Sequence, residues 1–412
     1  MKRFLVGHAA HPQWPMALSR AAAQIEAARS AAAEPAQPTL GWVYLTDHFA
    51  PHAPAVLGEL RRRWPGVAWV GAVGVAIAAD AVEYDDEPAL ALMLAELPVE
   101  RFRIFNGRQP LRGFTPQTAL VHADPHSLGL SELIADLAGR TTSGNLFGGI
   151  ASSRMQTRDG SSTARHIADG VWQGGVSGVA FDGEVALVSR ISQGCQPIGP
   201  TRAVTAASAQ VVLTLDGRPA LDCLLEDLAL KDAEPRSIAP RLRQTLVGLR
   251  DAGTPEAERR GAFGAQTRVR HLIGLDPARR AIAIGDTVEA GMRLAFCSRN
   301  TEAARRDLVR MCAEVREEVE TEAQPLTALA GAGLRAAAAP AGAIAGALYV
   351  SCAGRGGAHF GAPSAELAIV RHALGDVPLV GFFAAGEIAH HHVYGYTGVL
   401  TVFRSHPPEV PA

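Results

Sequence analysis

Apolar positions along this chain recur with two periods, and segments of the two kinds alternate. Leu18, Ala22, Ile25 and Ala28 share one side of a 3.6-residue turn and predict a helix over residues 15–33, ended by the stretch holding Pro35 and Pro38. An apolar strand is expected at 41–46, then a helix over 54–64 with Val56, Leu57 and Leu60 on one side. Strands follow at 69–77 and 89–97, separated by an acidic loop around 80–87. The same grammar returns twice. Residues 119–123 read as strand, 130–137 as helix, 145–151 as a strand carrying Gly148-Gly149, and 176–181 as strand after a polar segment. Residues 347–351, 364–374, 379–384 and 398–403 repeat the order strand, helix, glycine-bearing strand, loop, strand. We infer three related β-α-β-β units, with the common grammar of α/β chains as the alternative. Their loops are too unequal for a solenoid of fixed period. Asp182-Gly183 between two apolar runs predicts a tight hairpin joining 176–181 to 184–191.

A different region separates the second and third units. It holds strands at 201–208 and 210–215, a short helix at 220–228, a hairpin from 269–275 and 281–284, and a strand at 293–296. A helix over 301–320 buries Leu308, Met311, Cys312 and Val315. Residues 251–263 read as loop and 328–346, rich in Ala, Gly and Pro, as a loose connection. The expected fold is α+β: two lobes of mixed or antiparallel sheets layered with helices, divided into 1–235 and 236–412.

Composition narrows the function. The chain has 412 residues, enough for two or more cores. Its net charge of −2 gives no electrostatic reason to expect nucleic acid or anionic lipid as partner. Five widely spaced cysteines without a C-x-x-C argue against a disulfide framework and a cysteine-rich zinc site, and suit a reducing cytoplasm. The first ten residues lack a signal peptide's apolar core, and no apolar run of about 20 residues predicts a membrane span.

Candidate chemistry lies in glycine-rich turns. Cys352 ends an apolar strand, Gly354 and Gly356 permit close backbone approach, and Arg355 offers a guanidinium fork for a carboxylate or phosphate. The same arginine would equally pair with a structural acid such as Glu387. No G-K-[ST] follows, which excludes a P-loop. Glu387 in its own turn reads as a ligand acceptor or as an acceptor for loop amides. Asn145 and Gly149 mark a third rim. Cys352 and Cys195 would be nucleophiles only beside a base that lowers their pKa; buried inert thiols are the alternative. His390-His391-His392 reads either as a solvated cluster or, through His390 and His392 on one face of a strand, as a metal or haem ligand pair.

Six motifs in order resemble the FIST family. Gly194-Cys195-Gln196-Pro197-Ile198-Gly199-Pro200 and Leu215-Asp216-Gly217-Arg218-Pro219-Ala220-Leu221 are similar to its N-terminal half. Gly274-Leu275-Asp276 with Gly285-Asp286 and Glu289-Ala290-Gly291-Met292, Ser351-Cys352-Ala353-Gly354-Arg355-Gly356, Gly381 to Ile388, and Tyr396-Thr397-Gly398 are similar to its C-terminal half, as are Arg299 and Asp307. The loop Ala389 to His392 departs from the Gly-Pro that often follows G-E-I in the family. The resemblance implies a sensory module that binds a small, polar, anionic ligand such as an amino acid or related metabolite. Arg355, Glu387, Arg299, Cys195 and Gln196 would border a cleft between lobes, and the chain would signal through a protein partner. A haem- or metal-linked sensor using His390 and His392, a cysteine-dependent enzyme using Cys352, and a pure scaffold are the competing expectations.

Overall fold

The computed structural model describes residues 3–156, 162–230, 241–242, 244–253, 263–264, 266–323 and 344–405. The chain forms two compact units. The larger comprises 1–191, 308–393 and 397–412, the smaller 192–307 and 394–396. The expected boundary at 235/236 and most of the loops at 251–263 and 328–346 lie outside the described residues. The compact units divide at 191/192 and 307/308, so the larger draws on both ends of the chain.

The larger unit is built from three repeats. The first runs β1 (Leu5–Ala10), α1 (Trp14–Ala31), β2 (Leu40–Thr46), α2 (Ala53–Arg63), β3 (Ala68–Gly74), β4 (Ala76–Ala79), β5 (Val82–Asp85) and β6 (Ala89–Ala95). The second runs β7 (Phe102–Phe105), β8 (Thr118–Ala123), α3 (Leu130–Gly139), β9 (Asn145–Ile150), β10 (His166–Ala168), β11 (Val171–Trp172) and β12 (Val176–Phe181). The third opens with β13 (Leu187–Gln193).

The smaller unit then interrupts the third repeat. It contains β14 (Cys195–Pro197), β15 (Arg202–Ser208), β16 (Val211–Leu215), β17 (Arg218–Pro219), α4 (Ala220–Asp227), β18 (Thr245–Arg250), β19 (Arg268–Asp276), β20 (Ala281–Ile284) and β21 (Arg293–Arg299). Strands β21, β15, β16, β20, β19 and β18 pair in that order, and β18 pairs back onto β21, closing an antiparallel barrel. Val212, Leu215, Val247, Leu249, Ile282, Leu294 and Phe296 fill it, and α4 packs on it through Leu221 and Leu224. Closure removes sheet edges. The hairpin expected from 269–275 and 281–284 is present, with Asp276 opposite Ala281.

The third repeat resumes with α5 (Thr301–Ala323), β22 (Ile344–Cys352), α6 (Ala365–Leu374), β23 (Leu379–Ala384), β24 (Glu387–His390), β25 (His392–Tyr394) and β26 (Thr397–Arg404). Each repeat contributes one parallel strand pair joined through a helix: β2–β3, β8–β9 and β22–β23. Equivalent glycines mark all three. Gly71, Gly148 and Gly381 sit opposite Val43, Val121 and Tyr349, and a Cβ at each would lie 1.7–2.0 Å from that neighbour's carbonyl oxygen.

The repeats exchange strands in a ring. The three six-stranded sheets have one order: β1-β6-β2-β3-β10-β11, β7-β12-β8-β9-β24-β25 and β13-β26-β22-β23-β4-β5. Each sheet therefore ends in a hairpin lent by another repeat. The lent hairpins turn at equivalent residues with positive φ: Asp80 at 49°, Asp169 at 41° and His390 at 51°. Aspartate tolerates that region better than most residues, because its short polar side chain bonds locally. Asp80 and Asp169 accept a hydrogen bond from the backbone N–H of Leu379 and Trp69, respectively.

Helices cover one face of each sheet, as Leu18, Ile25, Val56 and Leu60 do on Val43, Leu45, Leu90 and Leu92. On the other face the sheets meet: the rings of Tyr44, His122 and Phe382 pack at centroid distances of 5.2–5.6 Å. The layered α+β class and the repeated units agree with the sequence reading.

Four local expectations are corrected. The 69–77 strand breaks at Val75, whose N–H bonds Ser152 Oγ, so that β4 leaves for another sheet. The acidic 80–87 loop contains β5. The segments flanking Asp182-Gly183 are not a hairpin: β12 pairs β7 and β8, whereas β13 joins β26. Neither Asp182 nor Gly183 adopts positive φ, and an unprimed turn splays its two arms. Glu387 begins strand β24 opposite Gly149 rather than lying in a turn.

Candidate functional site

The larger unit gathers three of the four glycine-rich segments. Gly149 on β9 pairs with Glu387, and a Cβ there would lie 2.7 Å from Val350 and 2.9 Å from Ala384, so this glycine admits protein atoms. Ala385 N–H donates to Ile150 O, and Ala353 N–H to Ala384 O. Residues 149–152, 352–356 and 384–387 are thereby sewn together at the ends of the parallel strands.

Behind them lies a buried charge cluster. Arg355 is 1% exposed. Its Nε donates to Glu366 Oε1 at 2.9 Å, and Nη2 lies 2.7 Å from the same oxygen. Tyr349 OH at 2.6 Å and Ser351 Oγ at 3.0 Å donate to that carboxylate as well. The guanidinium also sits 5.2 Å from the centroid of Phe360. Burial works against its charge, but Glu366 keeps it firmly protonated. The structural acid is therefore Glu366, in the first turn of α6, rather than Glu387.

Glu387 is fully buried. Its Oε2 accepts from Thr397 N–H and Oγ1, while Oε1 has no hydrogen-bond partner. Loss of water pushes its pKa up to about 8, even though the Thr397 bonds and Arg355 favour the charged form. Glu83, on β5, is likewise pushed up to about 7 by burial and by Glu366. Of the other turn residues, Gly354 is exposed and Cys352 and Gly356 are half-buried.

The polar cavity of this unit lies at the opposite ends of the β8–β9 pair. It encloses about 350 Å³ beneath β13 and is lined by Asn145, His390, Arg190, Arg404, Glu318, Gln117, Ser143, Ser189 and Thr401. Phe147, Leu146, Val188 and Ile191 form its apolar wall. His390 Nδ1 bonds Asn145 Oδ1 at 2.7 Å, linking residues 245 apart in sequence. Burial lowers the pKa of His390, and His391 and Arg190 lower it further. Arg190 contacts Glu318. Two guanidiniums against one carboxylate leave this lining formally positive. Arg190, Arg404 and Glu318 carried no motif in the sequence.

The histidine run does not form one strand face. β24 stops at His390, whose positive φ turns the chain, and β25 starts at His392. The His391 and His392 rings lie 3.9 Å apart between centroids, tilted by 45°. Alternation therefore does not align His390 with His392. Among the described residues no group of three His, Cys, Asp or Glu side chains is arranged as a metal would require. His390 Nδ1 is already bonded to Asn145, and the turn at His390 leaves no aligned histidine pair for a haem iron.

In the smaller unit, Cys195 is buried and shares a thiol hydrogen bond with Cys297, both cysteines being free. Gln196 lies opposite Ser298. Gly199 makes room for Asp227, whose Oδ2 a Cβ would approach within 2.1 Å; Asp227 in turn holds Arg202 through bonds of 2.6 and 2.7 Å. Arg299 lies 5.4 Å from the ring centroid of Tyr396, whose OH bonds His271 Nε2 at 3.0 Å.

The fold is an α+β ring of strand-exchanged repeats whose chain is interrupted by a barrel, and no helix among the described residues is long and apolar enough to cross a membrane. The FIST N domain matches residues 39–218 and the FIST C domain residues 220–390. The chain belongs to the FIST family, whose domains are associated with sensory signal transduction and ligand binding. It is 33% identical over 356 residues to an uncharacterized protein of Mycobacterium tuberculosis, covering 82% of this chain and 83% of the relative. It is 30% identical over 401 residues to an uncharacterized protein of Mycobacterium bovis, covering 92% and 95%.

Proposed function

We propose that this chain is a cytoplasmic sensory protein that binds a small organic anion, such as an amino acid or related carboxylate metabolite, and signals through a protein partner. The observation that carries this reading is the cavity of about 350 Å³ whose lining includes Asn145, His390, Arg190 and Arg404. Guanidinium forks and an amide suit a carboxylate, and the Phe147 wall suits an apolar body. None of the five cysteines is joined in a disulfide, which supports a reducing compartment. Arg355 and Glu387 serve in this reading as the buried frame that fixes β22 to β24, with His390 at the end of β24 reporting occupancy. Occupancy would alter a partner surface by favouring the conformation that binds better.

The test is a thermal-shift screen of the purified protein against small carboxylates and their neutral amide analogues. Stabilisation by one or more carboxylates, lost in Arg190→Ala and Arg404→Ala, supports the reading. Stabilisation by none, or equal stabilisation by the amides, ends it.

A further inference from the structure

The strand-exchanged ring implies that whatever is built at one junction has counterparts at the other two. The anion cavity sits where an edge strand, β13, and its helix, α5, cover the turn of a lent hairpin at His390. In the first repeat β1 and α1 take the places of β13 and α5. The turn they cover is Asp80, at the end of β4, beside the start of β23. There the structure has a second cavity of about 600 Å³, lined by Arg3, Phe4, Val6, Arg29, Asp80 and Asp376 among others. At the third junction buried Asn106, just after β7, donates to Ala168 O beside the Asp169 turn, as does the Trp172 indole.

The two cavities differ in charge. Where one has His390 with two arginines and a single glutamate, the other has Asp80, Asp376 and Glu34 against Arg3 and Arg29. Both arginines are engaged. Arg3 donates to Asp376 O at 2.7 Å and Oδ2 at 3.0 Å, and Arg29 to Ala36 O at 2.9 Å. Asp80 gives Oδ1 to Leu379 N–H at 3.3 Å. It keeps a carboxylate oxygen 3.7 Å from His8 Nε2, beyond hydrogen-bond length. Its side chain is 38% exposed. Phe4, Leu5, Val6, Ala28 and Ala32 supply an apolar wall. We infer that this cavity is a second small-molecule site, selective for an organic ammonium group on an apolar body, with Asp80 as its charged anchor. The inference rests on the cavity and the repeat geometry, and stands whether or not the first cavity binds anions.

The test uses the full chain, with n-butylammonium and butanoate as probes matched in apolar length, followed by amide NMR at fixed ionic strength. Butylammonium is expected to shift the amides of Leu5, Val6 and Asp80 saturably, and butanoate to leave them unmoved. Asp80→Asn keeps an oxygen for Leu379 N–H and suits the positive φ, and should weaken butylammonium at least tenfold. Ala32→Phe, which fills the cavity from the end of α1, should abolish binding should Asp80→Asn fail to fold. Arg190→Ala should change nothing at these amides, which separates this site from the anion site. Unsaturable shifts, equal affinity in Asp80→Asn, or butanoate binding as tightly as butylammonium would overturn the inference.

Discussion

Replacing Arg355 with methionine keeps the length that packs near Phe360 and removes the charge. Glu366, 1% exposed, then faces the protein interior with only the hydroxyls of Tyr349 and Ser351 as donors. Two of its close contacts, at 2.7 and 2.9 Å, come from the lost guanidinium. Breaking a buried, hydrogen-bonded ion pair from one side costs about 3–5 kcal/mol, because the remaining charge has neither partner nor water. Against a total stability of about 5–15 kcal/mol, that loss is severe. The double variant Arg355→Met with Glu366→Gln leaves no charge stranded, and Gln still accepts from Tyr349. It should recover about 2–3 kcal/mol of the loss, since opposite-sign coupling is what the pair contributes. Urea unfolding followed by far-ultraviolet circular dichroism reads both numbers, provided the slope with denaturant is unchanged. A stability of Arg355→Met within about 1 kcal/mol of the parent, or a double variant no more stable than the single one, would show that the pair does not carry this energy.

Glu387→Gln should flatten the pH dependence of stability. Its folded pKa, pushed up to about 8, exceeds that of the unfolded chain, so the folded state holds the extra proton. Its contribution is full below about pH 4.5, falls as pH rises to about 8, and amounts to several kcal/mol at most. Melting curves from pH 5 to 9 that slope equally in the variant and the parent would refute this. Gly381→Ala puts a Cβ 1.7 Å from Tyr349 O and should cost about 3 kcal/mol or more, whereas Gly58→Ala in α2, with nothing within 4 Å, should stabilise by roughly 0.5–1 kcal/mol. Chemical denaturation of the two variants checks the contrast. A bound anion favours the imidazolium of His390, so anion affinity should strengthen as pH falls through the titration of His390; calorimetry across that range would show a flat profile if His390 lies outside the site.

Much of the fold could be read from sequence because its units are local. A β-α-β pair carries its own signals: an apolar run, an amphipathic helix, and a glycine where two parallel strands come too close for a side chain. The exchange of hairpins carries none. β10, β11, β24 and β25 are two to four residues long, and their partners are set by packing across more than 200 residues in the case of β24 and β9. Arg355 was legible as a special arginine, but its partner was sought in another glycine-rich motif. The available signal was an acid on the buried stripe of a helix, since Glu366 precedes Leu367 and Val370 on that face. Asn145 and His390 are both visible as polar residues near strand ends. Arg190 and Arg404 are not, because nothing local distinguishes them from surface arginines until β13 and β26 bring them to the lining of one cavity.

The most direct measurement is the NMR signal of the His390 imidazole during titration with the tightest-binding small carboxylate. A saturable shift of that ring is expected, with buried His122 unmoved and the effect lost in Arg190→Ala. Saturable binding that leaves His390 undisturbed, or a protein that no carboxylate perturbs, would contradict it.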